Sequence, residues 1–212
     1  MSGLMVFSTH LDDAVLSAGE VIAAHPGAVV VTVFAGLPAT GTRGRYDAAT
    51  GLGDGHRAMS SRRDEDTAAL ATLGAYPVHL DFLDRQYRHP SSDEEIAERL
   101  RSLVTAHRPT TVLGPVGLVH PDHRQVGRVW PAVAAGTDTL AYEDMPYRRQ
   151  FPATDDAVRA FVAAHGATAH PPTGGDRAAK ERAIGAYVSQ LATVLPELCL
   201  GPEQLWRLPA RP

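Results

Sequence analysis

Three side chains capable of acid-base or metal chemistry follow the first apolar run of the sequence. This run, Leu4–Ser8, has the length of a buried strand, and the turn after it holds His10, Asp12 and Asp13. One imidazole and two carboxylates suit a divalent cation, whereas the two acids would repel the pyrophosphate of a dinucleotide. The turn also lacks the glycine patterns of dinucleotide-binding and P-loop proteins. The chemistry predicted for this turn is therefore metal binding.

A second cluster of the same residue types follows a later apolar run, Thr110–Pro115. It consists of His120, Asp122 and His123 in the sequence His-Pro-Asp-His. Ligands of open parallel α/β sheets bind beyond the carboxyl ends of the strands, so both clusters are expected at one edge of a sheet. Each cluster alone has a plain structural explanation, because acids cap helices and Pro and Asp are common where helices begin. Two such clusters at two strand ends favour a shared site.

A catalytic zinc site has three protein ligands and an open position at which water becomes acidic. Three of these side chains form a ligand set of that kind: His10, Asp13 and His123. Asp12 is then free to accept a proton from water as the general base. His120 is placed to stabilise an oxyanion and to protonate a leaving amine, and Asp122 to orient one of the imidazoles. The combination predicts metal-assisted hydrolysis of an amide or a similar acyl bond.

Strand-length apolar runs alternate with stretches of helical period, which predicts a parallel sheet with helices on its faces. The predicted strands are Leu4–Ser8, Ala28–Ala35, Val78–Leu83, Thr110–Pro115 and Thr139–Glu143, with a further edge strand near Gln204–Leu208. The predicted helices cover about 13–25, 58–74, 92–107, 155–165 and 176–195. No repeat or low-complexity linker divides the sequence, so we expect one α/β domain over residues 1–212.

Two segments are too long and irregular to be plain connections within a compact domain. Residues 36–56 contain six glycines, and residues 144–156 contain Pro146 and Pro152. Long loops of this kind usually carry function or are disordered. Both segments are therefore candidates for the border of the site.

Composition excludes several classes of protein. Of the 212 residues, 44% are hydrophobic and 21% charged, which is typical of a folded domain and not of a disordered chain. The net charge is −4, and Lys180 is the only lysine, so no basic stripe for nucleic acid is expected. A single cysteine, Cys199, gives no sign of an oxidising compartment, and no apolar run is long enough to span a membrane. We expect a cytoplasmic protein.

Two motifs resemble a known family. The segment Phe7 to Gly19 resembles the H-x-D-D motif of the LmbE/PIG-L-like zinc de-N-acetylases, and His120-Pro121-Asp122-His123 resembles their H-P-D-H motif. Weaker matches follow in the family's order and extend over nearly the whole chain: Arg62-x-x-Glu65 with Leu73-Gly74, Tyr142 to Tyr147, and Lys180 to Gln190. The order and spacing make the combination more specific than any one motif.

This resemblance implies a Rossmann-like fold in which zinc is bound by the ligand set given above, with Asp12 as the general base and His120 at the oxyanion. It also implies that Arg62 and Asp84 hold a polar substrate. The sequence departs from the family at Leu118, where some sugar-specific members carry a tyrosine, so an oxyanion contribution from that position is absent. Thr9 also replaces the proline or alanine more usual before the first histidine.

The expected activity is zinc-dependent removal of an acetyl or other short acyl group from an N-acetylglucosamine-type sugar or a related metabolite. One alternative is a zinc amidase for a non-sugar amide, such as a thiol conjugate or a secondary metabolite. Another is a metabolite-binding α/β protein without turnover. Because a His/His/carboxylate set suits several metals, Fe²⁺ stays open beside Zn²⁺. The expected partner is a small N-acyl substrate, and the sequence leaves the oligomeric state open.

Overall fold

A computed structural model describes residues 3–49, 53–171, 174–191 and 196–210. The strands in these ranges are β1 (Leu4–Ser8), β2 (Val29–Thr32), β3 (Tyr76–His79), β4 (Thr111–Pro115), β5 (Asp138–Tyr142), β6 (Thr168–His170) and β7 (Leu205–Arg207). The helices are α1 (Asp13–Ala23), α2 (Arg45–Ala49), α3 (Gly55–Thr72), α4 (Asp93–His107), α5 (Pro121–Val133), α6 (Tyr147–Gln150), α7 (Thr154–His165), α8 (Arg177–Ile184) and α9 (Pro196–Cys199). A short 3-10 turn covers Arg85–Tyr87.

The seven strands form one sheet in the order β3-β2-β1-β4-β5-β7-β6. Strands β1 to β5 are parallel, whereas β7 is antiparallel to both β5 and β6. The chain builds outwards from β1 to β3, then crosses back to place β4 on the other side of β1. The carboxyl ends of β1 and β4 therefore meet where the strand order reverses, which is the usual ligand position in such sheets.

Helices cover both faces of the sheet, because successive side chains of β1 point to opposite faces and are apolar on both. Leu4 and Val6 pack into a core with α1, α3 and α8, while Met5 and Phe7 pack into a second core with α4, α5 and α7. All five residues of β1 are buried, as expected for a central parallel strand with both faces covered. The predicted mostly parallel α/β sheet is confirmed.

Local predictions were accurate where a strong pattern exists. The helix predicted at 92–107 is α4, and Ser92 and Glu95 form a capping box at its start. The predicted strand Val78–Leu83 was displaced, because pairing with β2 uses Tyr76–His79, two residues earlier. The apolar run beyond it leaves the parallel ladder after Leu80, whose N–H still bonds to the carbonyl of Thr32 at 2.9 Å.

The end of the chain differs most from prediction. The predicted helix 176–195 ends at Ile184, and residues 192–195 lie outside the described part. The tail strand exists as β7, but it lies inside the sheet, and the edge is β6, which was not predicted. The sequence of β6, Thr-Ala-His, is too short and polar to show a strand pattern.

Helix α1, which follows the first histidine turn, bends at Ala18, whose φ of −140° and ψ of 25° are not helical. Such a bend frees backbone N–H groups, and those of Glu20 and Val21 donate to the carboxylate of Glu203 at 2.8 and 3.1 Å. The Nζ of Lys180 donates to the same carboxylate at 2.7 Å, and this lysine is completely buried. The C-terminal segment is thus bonded to the helix that begins at the candidate site.

No helix in the described ranges combines the length and the apolar character that a membrane span requires.

Candidate metal centre and active site

Ser8 and Asp12 shape the turn between β1 and α1. The Ser8 hydroxyl accepts a hydrogen bond from the N–H of Ala14 at 3.0 Å and so caps the start of the helix. Asp12 stands at the N-cap position, but its side chain makes no capping bond. Its φ of 131° is rare for a residue with a Cβ, and such backbone strain is found mainly at functional sites. The capping explanation for Asp12 is therefore wrong.

Three potential ligand atoms converge on one point at the ends of β1 and β4. They belong to His10, Asp13 and His123, and all lie within 4.8 Å of one another. Asp13 Oδ2 is 3.3 Å from His10 Nδ1 and 3.1 Å from His123 Nε2. His123 Nε2 is buried, yet it makes no well-aligned hydrogen bond within the described chain. A buried nitrogen in that situation, beside a carboxylate and a second imidazole, fits a divalent metal ion.

The other nitrogen of each ligand imidazole is held by a carboxylate. Asp122 Oδ2 lies 3.2 Å from His10 Nε2, and Asp144 Oδ1 lies 2.6 Å from His123 Nδ1. Carboxylates in this position fix the tautomer and orientation of metal-binding histidines, leaving the inner nitrogen for the ion. Arg85 in turn holds Asp122, with its Nε 2.9 Å from Asp122 Oδ1. The residues present therefore fit a metal in both the donor set and its support.

Protonation in the metal-free protein reflects the same contacts. Burial would lower the pKa of His123, but Asp13 and Asp144 hold it at about 9. Burial opposes ionisation of Asp13 as well, yet the two histidines beside it hold its pKa far below the ordinary value. By contrast, burial and the neighbouring Asp13 raise the pKa of Asp12 well above the ordinary value. The two adjacent acids thus differ in how readily they ionise in the metal-free protein.

His120 begins α5 from the opposite side of the site. Its ring lies 5.3 Å from that of His10 and 5.9 Å from that of His123, measured between centroids. Its Nδ1 accepts a hydrogen bond from the N–H of Asp122 at 3.3 Å, so the neutral ring carries its proton on Nε2. Burial, and then the charge of His10, lowers the pKa of His120.

Close approach of α5 to the preceding loop fixes the position of the second cluster. A Cβ at Gly127 would lie 2.6 Å from the carbonyl oxygen of Val116 and 2.9 Å from the Cα of Gly117. The absence of a side chain lets the helix rest directly on this loop, one turn beyond His123. A larger residue at that position would push the helix, and His123 with it, away from the sheet.

A cavity of about 290 Å³ opens beside the candidate metal site, near the lower end of the range for ligand pockets. Both long loops border it, as predicted: Tyr46 comes from 36–56, and Pro146, Tyr147 and Gln150 come from 144–156. Residues 50–52 of the first loop lie outside the described chain.

The substrate-binding residues implied by the family resemblance also line this cavity. Arg62, on α3, is buried, and its Nη1 lies 3.3 Å from Asp47 Oδ1. Asp84 accepts hydrogen bonds from the backbone and side chain of Gln86, at 2.8 and 3.0 Å. All eight site residues predicted from the sequence are thus placed in or directly around one site.

Sequence reasoning missed several residues of the site. Asp144 supports His123, and Gln86, Gln190 and the Tyr46–Tyr147 pair line the cavity. Asp144 could have been found from the signal used for the histidine clusters, because it follows directly after a buried strand, β5. Tyr147 and Gln190 lie within the weaker matches to the family, which assign them no role, and no sequence pattern marks Gln86 or Tyr46.

The sequence model of the PIG-L family, described as GlcNAc-PI de-N-acetylase, matches residues 5–134. The chain belongs to the PIG-L family. This match includes both histidine clusters and Arg62. Members are de-N-acetylases, and the chain is accordingly a hydrolase of this class, with a His/His/carboxylate cluster able to hold a divalent metal. No curated protein sequence shows significant similarity to the chain.

Two solved deacetylase structures resemble this one over nearly their whole length. The A40926 pseudoaglycone deacetylase Dbv21 is 27% identical, with a TM-score of 0.78 over 98% of this chain and 96% of its own. Orf2*T, a triple mutant of a deacetylase of the teicoplanin biosynthetic pathway, is 27% identical, with a TM-score of 0.80 over 98% of each chain.

A more distant structure shares only the fold. The 4-carboxy-2-hydroxymuconate hydratase GalB from Pseudomonas putida KT2440 is 19% identical, with a TM-score of 0.59 over 100% of this chain and 98% of its own. A hydratase does not carry out deacetylation, so the fold alone does not identify the reaction, and the residues of the site have to.

Proposed function

We propose that the protein is a zinc-dependent hydrolase that removes the acetyl or another short acyl group from the amine of an N-acetylglucosamine-type sugar. The observation that carries this proposal is the convergence of three ligand atoms, two of them from buried residues, beside the uncapped carboxylate of Asp12 on the wall of a small cavity. Family membership and the two related deacetylases support it.

His10, Asp13 and His123 would hold the zinc ion. A metal bound there supplies acidic water and polarises a carbonyl group. Asp12, whose side chain makes no capping bond, takes the proton of the attacking water. His120 in its protonated, imidazolium form donates a hydrogen bond from Nε2 and then gives a proton to the leaving amine. Asp122 and Asp144 keep the two imidazole ligands in orientation, and water plus amide gives amine and carboxylic acid.

The lining of the cavity favours a sugar over a purely apolar amide. Arg62, Asp84 and Gln150 line the cavity with donors and acceptors that suit hydroxyl groups. A volume near 290 Å³ is enough for one sugar ring with a short acyl group. These polar groups beside the metal-facing end support an N-acyl amino sugar as the substrate.

The test is acetate release from a panel of N-acetyl amino sugars and N-acetyl amides without a sugar, after chelation and reconstitution with Zn²⁺ or Fe²⁺. We expect turnover of the sugars with zinc, and retention of zinc but a loss of most turnover in Asp12→Asn. Asp64→Asn, on the outer part of α3, is the matched control. If only the amides without a sugar are hydrolysed, the proposed sugar substrate is wrong. If the sugars bind but are not hydrolysed, the proposed hydrolase activity is wrong.

A further inference from the structure

Tyr147 forms part of the cavity wall directly beside the candidate metal centre. It is the first residue of α6, and its ring stands perpendicular to that of His123, with the centroids 5.1 Å apart. On its other side the ring stacks on Phe151 at 6.3 Å. The ring is thus held from two directions next to a metal-ligating histidine.

The hydroxyl of Tyr147 is set apart from the other buried phenols by its lack of a partner. Tyr142 donates to the carbonyl of Phe7 at 2.9 Å, Tyr187 to Asp66 at 2.7 Å and Tyr87 to Asp47 at 2.9 Å. The Tyr147 hydroxyl makes no hydrogen bond within the described residues, although the side chain is half-buried. Because Tyr147 lines the cavity, this hydroxyl can bond to a ligand there.

This phenol keeps its proton and acts as a donor. An ordinary phenol is neutral near pH 7. Tyr147 lines the same cavity as Asp12 and Asp13, so it borders the end of the cavity where the acyl group has to lie for Asp12 to activate water. A neutral O–H at that place can bond to an oxygen that gains negative charge.

We propose that the Tyr147 hydroxyl donates a hydrogen bond to the acyl oxygen of the substrate as water adds to the acyl carbon. This inference rests on the proposed function. As the new C–O bond forms, the electron pair of the carbonyl moves to the acyl oxygen, and the proton of water goes to Asp12. When the C–N bond breaks, that pair returns and the amine takes a proton from His120. Tyr147 stabilises the charge in between and transfers no proton.

The first experiment compares Tyr147→Phe with Tyr76→Phe, a matched change at an exposed phenol on β3. Loss of one oxyanion donor lowers kcat by on the order of 100-fold, and we expect this with little change in KM or zinc content. Tyr76→Phe retains the parent's kcat. A kcat of Tyr147→Phe near that of the parent overturns the inference, as does a rise in KM alone, which would assign the hydroxyl to the sugar.

A second variant separates the hydroxyl from the ring. If the hydroxyl matters, Tyr147→Leu and Tyr147→Phe lose similar amounts of kcat per bound zinc. If only packing against His123 matters, Tyr147→Leu loses zinc and activity while Tyr147→Phe retains both, which overturns the inference.

A binding measurement makes the test independent of turnover. The probe is the methylphosphonamidate of glucosamine, whose tetrahedral oxygens mimic the charged acyl oxygen. Calorimetry with zinc-loaded protein should show weaker binding to Tyr147→Phe and unchanged binding of glucosamine itself. Equal binding of the probe by parent and variant refutes the role of Tyr147. A parent that neither binds the probe nor releases acetate refutes the proposed function itself.

Discussion

Asp144 offers a sharp test of the metal centre, because its carboxylate receives three hydrogen bonds that an amide cannot all accept. Oδ1 is 2.6 Å from His123 Nδ1, and Oδ2 accepts the N–H groups of Gly117 and Leu118 at 2.9 and 3.2 Å. In Asp144→Asn one of the two oxygens becomes an NH₂ donor. The variant preserves the shape and volume of the side chain, but one of its two hydrogen-bond acceptors becomes a donor.

The two orientations of the asparagine have different costs. If its NH₂ faces the loop, two backbone donors lose their acceptor, at about 1–3 kcal/mol for each that is buried. If its NH₂ faces His123, both backbone hydrogen bonds are retained, so we expect this orientation to have the lower free energy. His123 then accepts at Nδ1 and carries its proton on Nε2, the nitrogen that has to bind the metal. Loss of such support lowers metal affinity about 10- to 100-fold, or about 1.4–2.7 kcal/mol, and the wrong tautomer favours the upper value.

The assay is zinc competition against a chromophoric chelator at fixed pH, together with thermal unfolding of the metal-free protein. We expect zinc affinity in the order parent, Asp144→Ala, Asp144→Asn, because alanine does not impose the wrong tautomer. We expect stability in the order parent, Asp144→Asn, Asp144→Ala, because alanine leaves every donor unpaired. Glu143→Gln is the control: this neighbouring acid contacts Arg148 and Trp206 and should leave zinc affinity unchanged. Parent-like zinc affinity in Asp144→Asn would refute the reasoning.

Three further predictions concern stability. Zinc at about 1,000 times its Kd should stabilise the fold by about 4 kcal/mol, so chelation should lower Tm by roughly 8–16 °C in calorimetry; an unchanged Tm would contradict a site formed only in the folded state. Gly127→Ala pushes the new Cβ against the backbone of the preceding loop and should lower the free energy of unfolding, measured with denaturant, by about 1–3 kcal/mol. Gly174→Ala, whose Cβ meets nothing within 4 Å, should be close to neutral. Equal effects of the two variants would count against the close approach of α5. Lys180→Met leaves Glu203 buried without its cation and should cost about 3–5 kcal/mol, and adding Glu203→Gln should recover part of that loss; strictly additive losses would show that the pair is not coupled.

Sequence reasoning succeeded where the signal is local. The two histidine clusters, and the strands before them, are short patterns whose meaning depends only on neighbouring residues. Because β1 and β4 are adjacent in the sheet, correct placement of each cluster at a strand end was enough to bring His10 and His123 together.

Long-range partners could not be predicted in this way. Asp144 meets His123 only because β5 lies beside β4, and Glu203 reaches Glu20 across 183 residues. The displaced β3 has a similar cause: its register is chosen by pairing with β2, whereas the apolar run alone continues to Leu83. Spacing along the chain contains no information about any of these contacts.

The position of β7 inside the sheet has a consequence for the order of assembly. In the described part of the structure, β6 pairs only with β7, which is synthesised after it. The strands β1 to β5 can pair as they leave the ribosome, but β6 has no strand to join until residues 205–207 have emerged. The sheet is therefore completed by a strand that is inserted between two strands made earlier. Removal of residues 205–207 should detach β6 and uncover the flank of β5, a partly folded state with an open strand edge that favours aggregation.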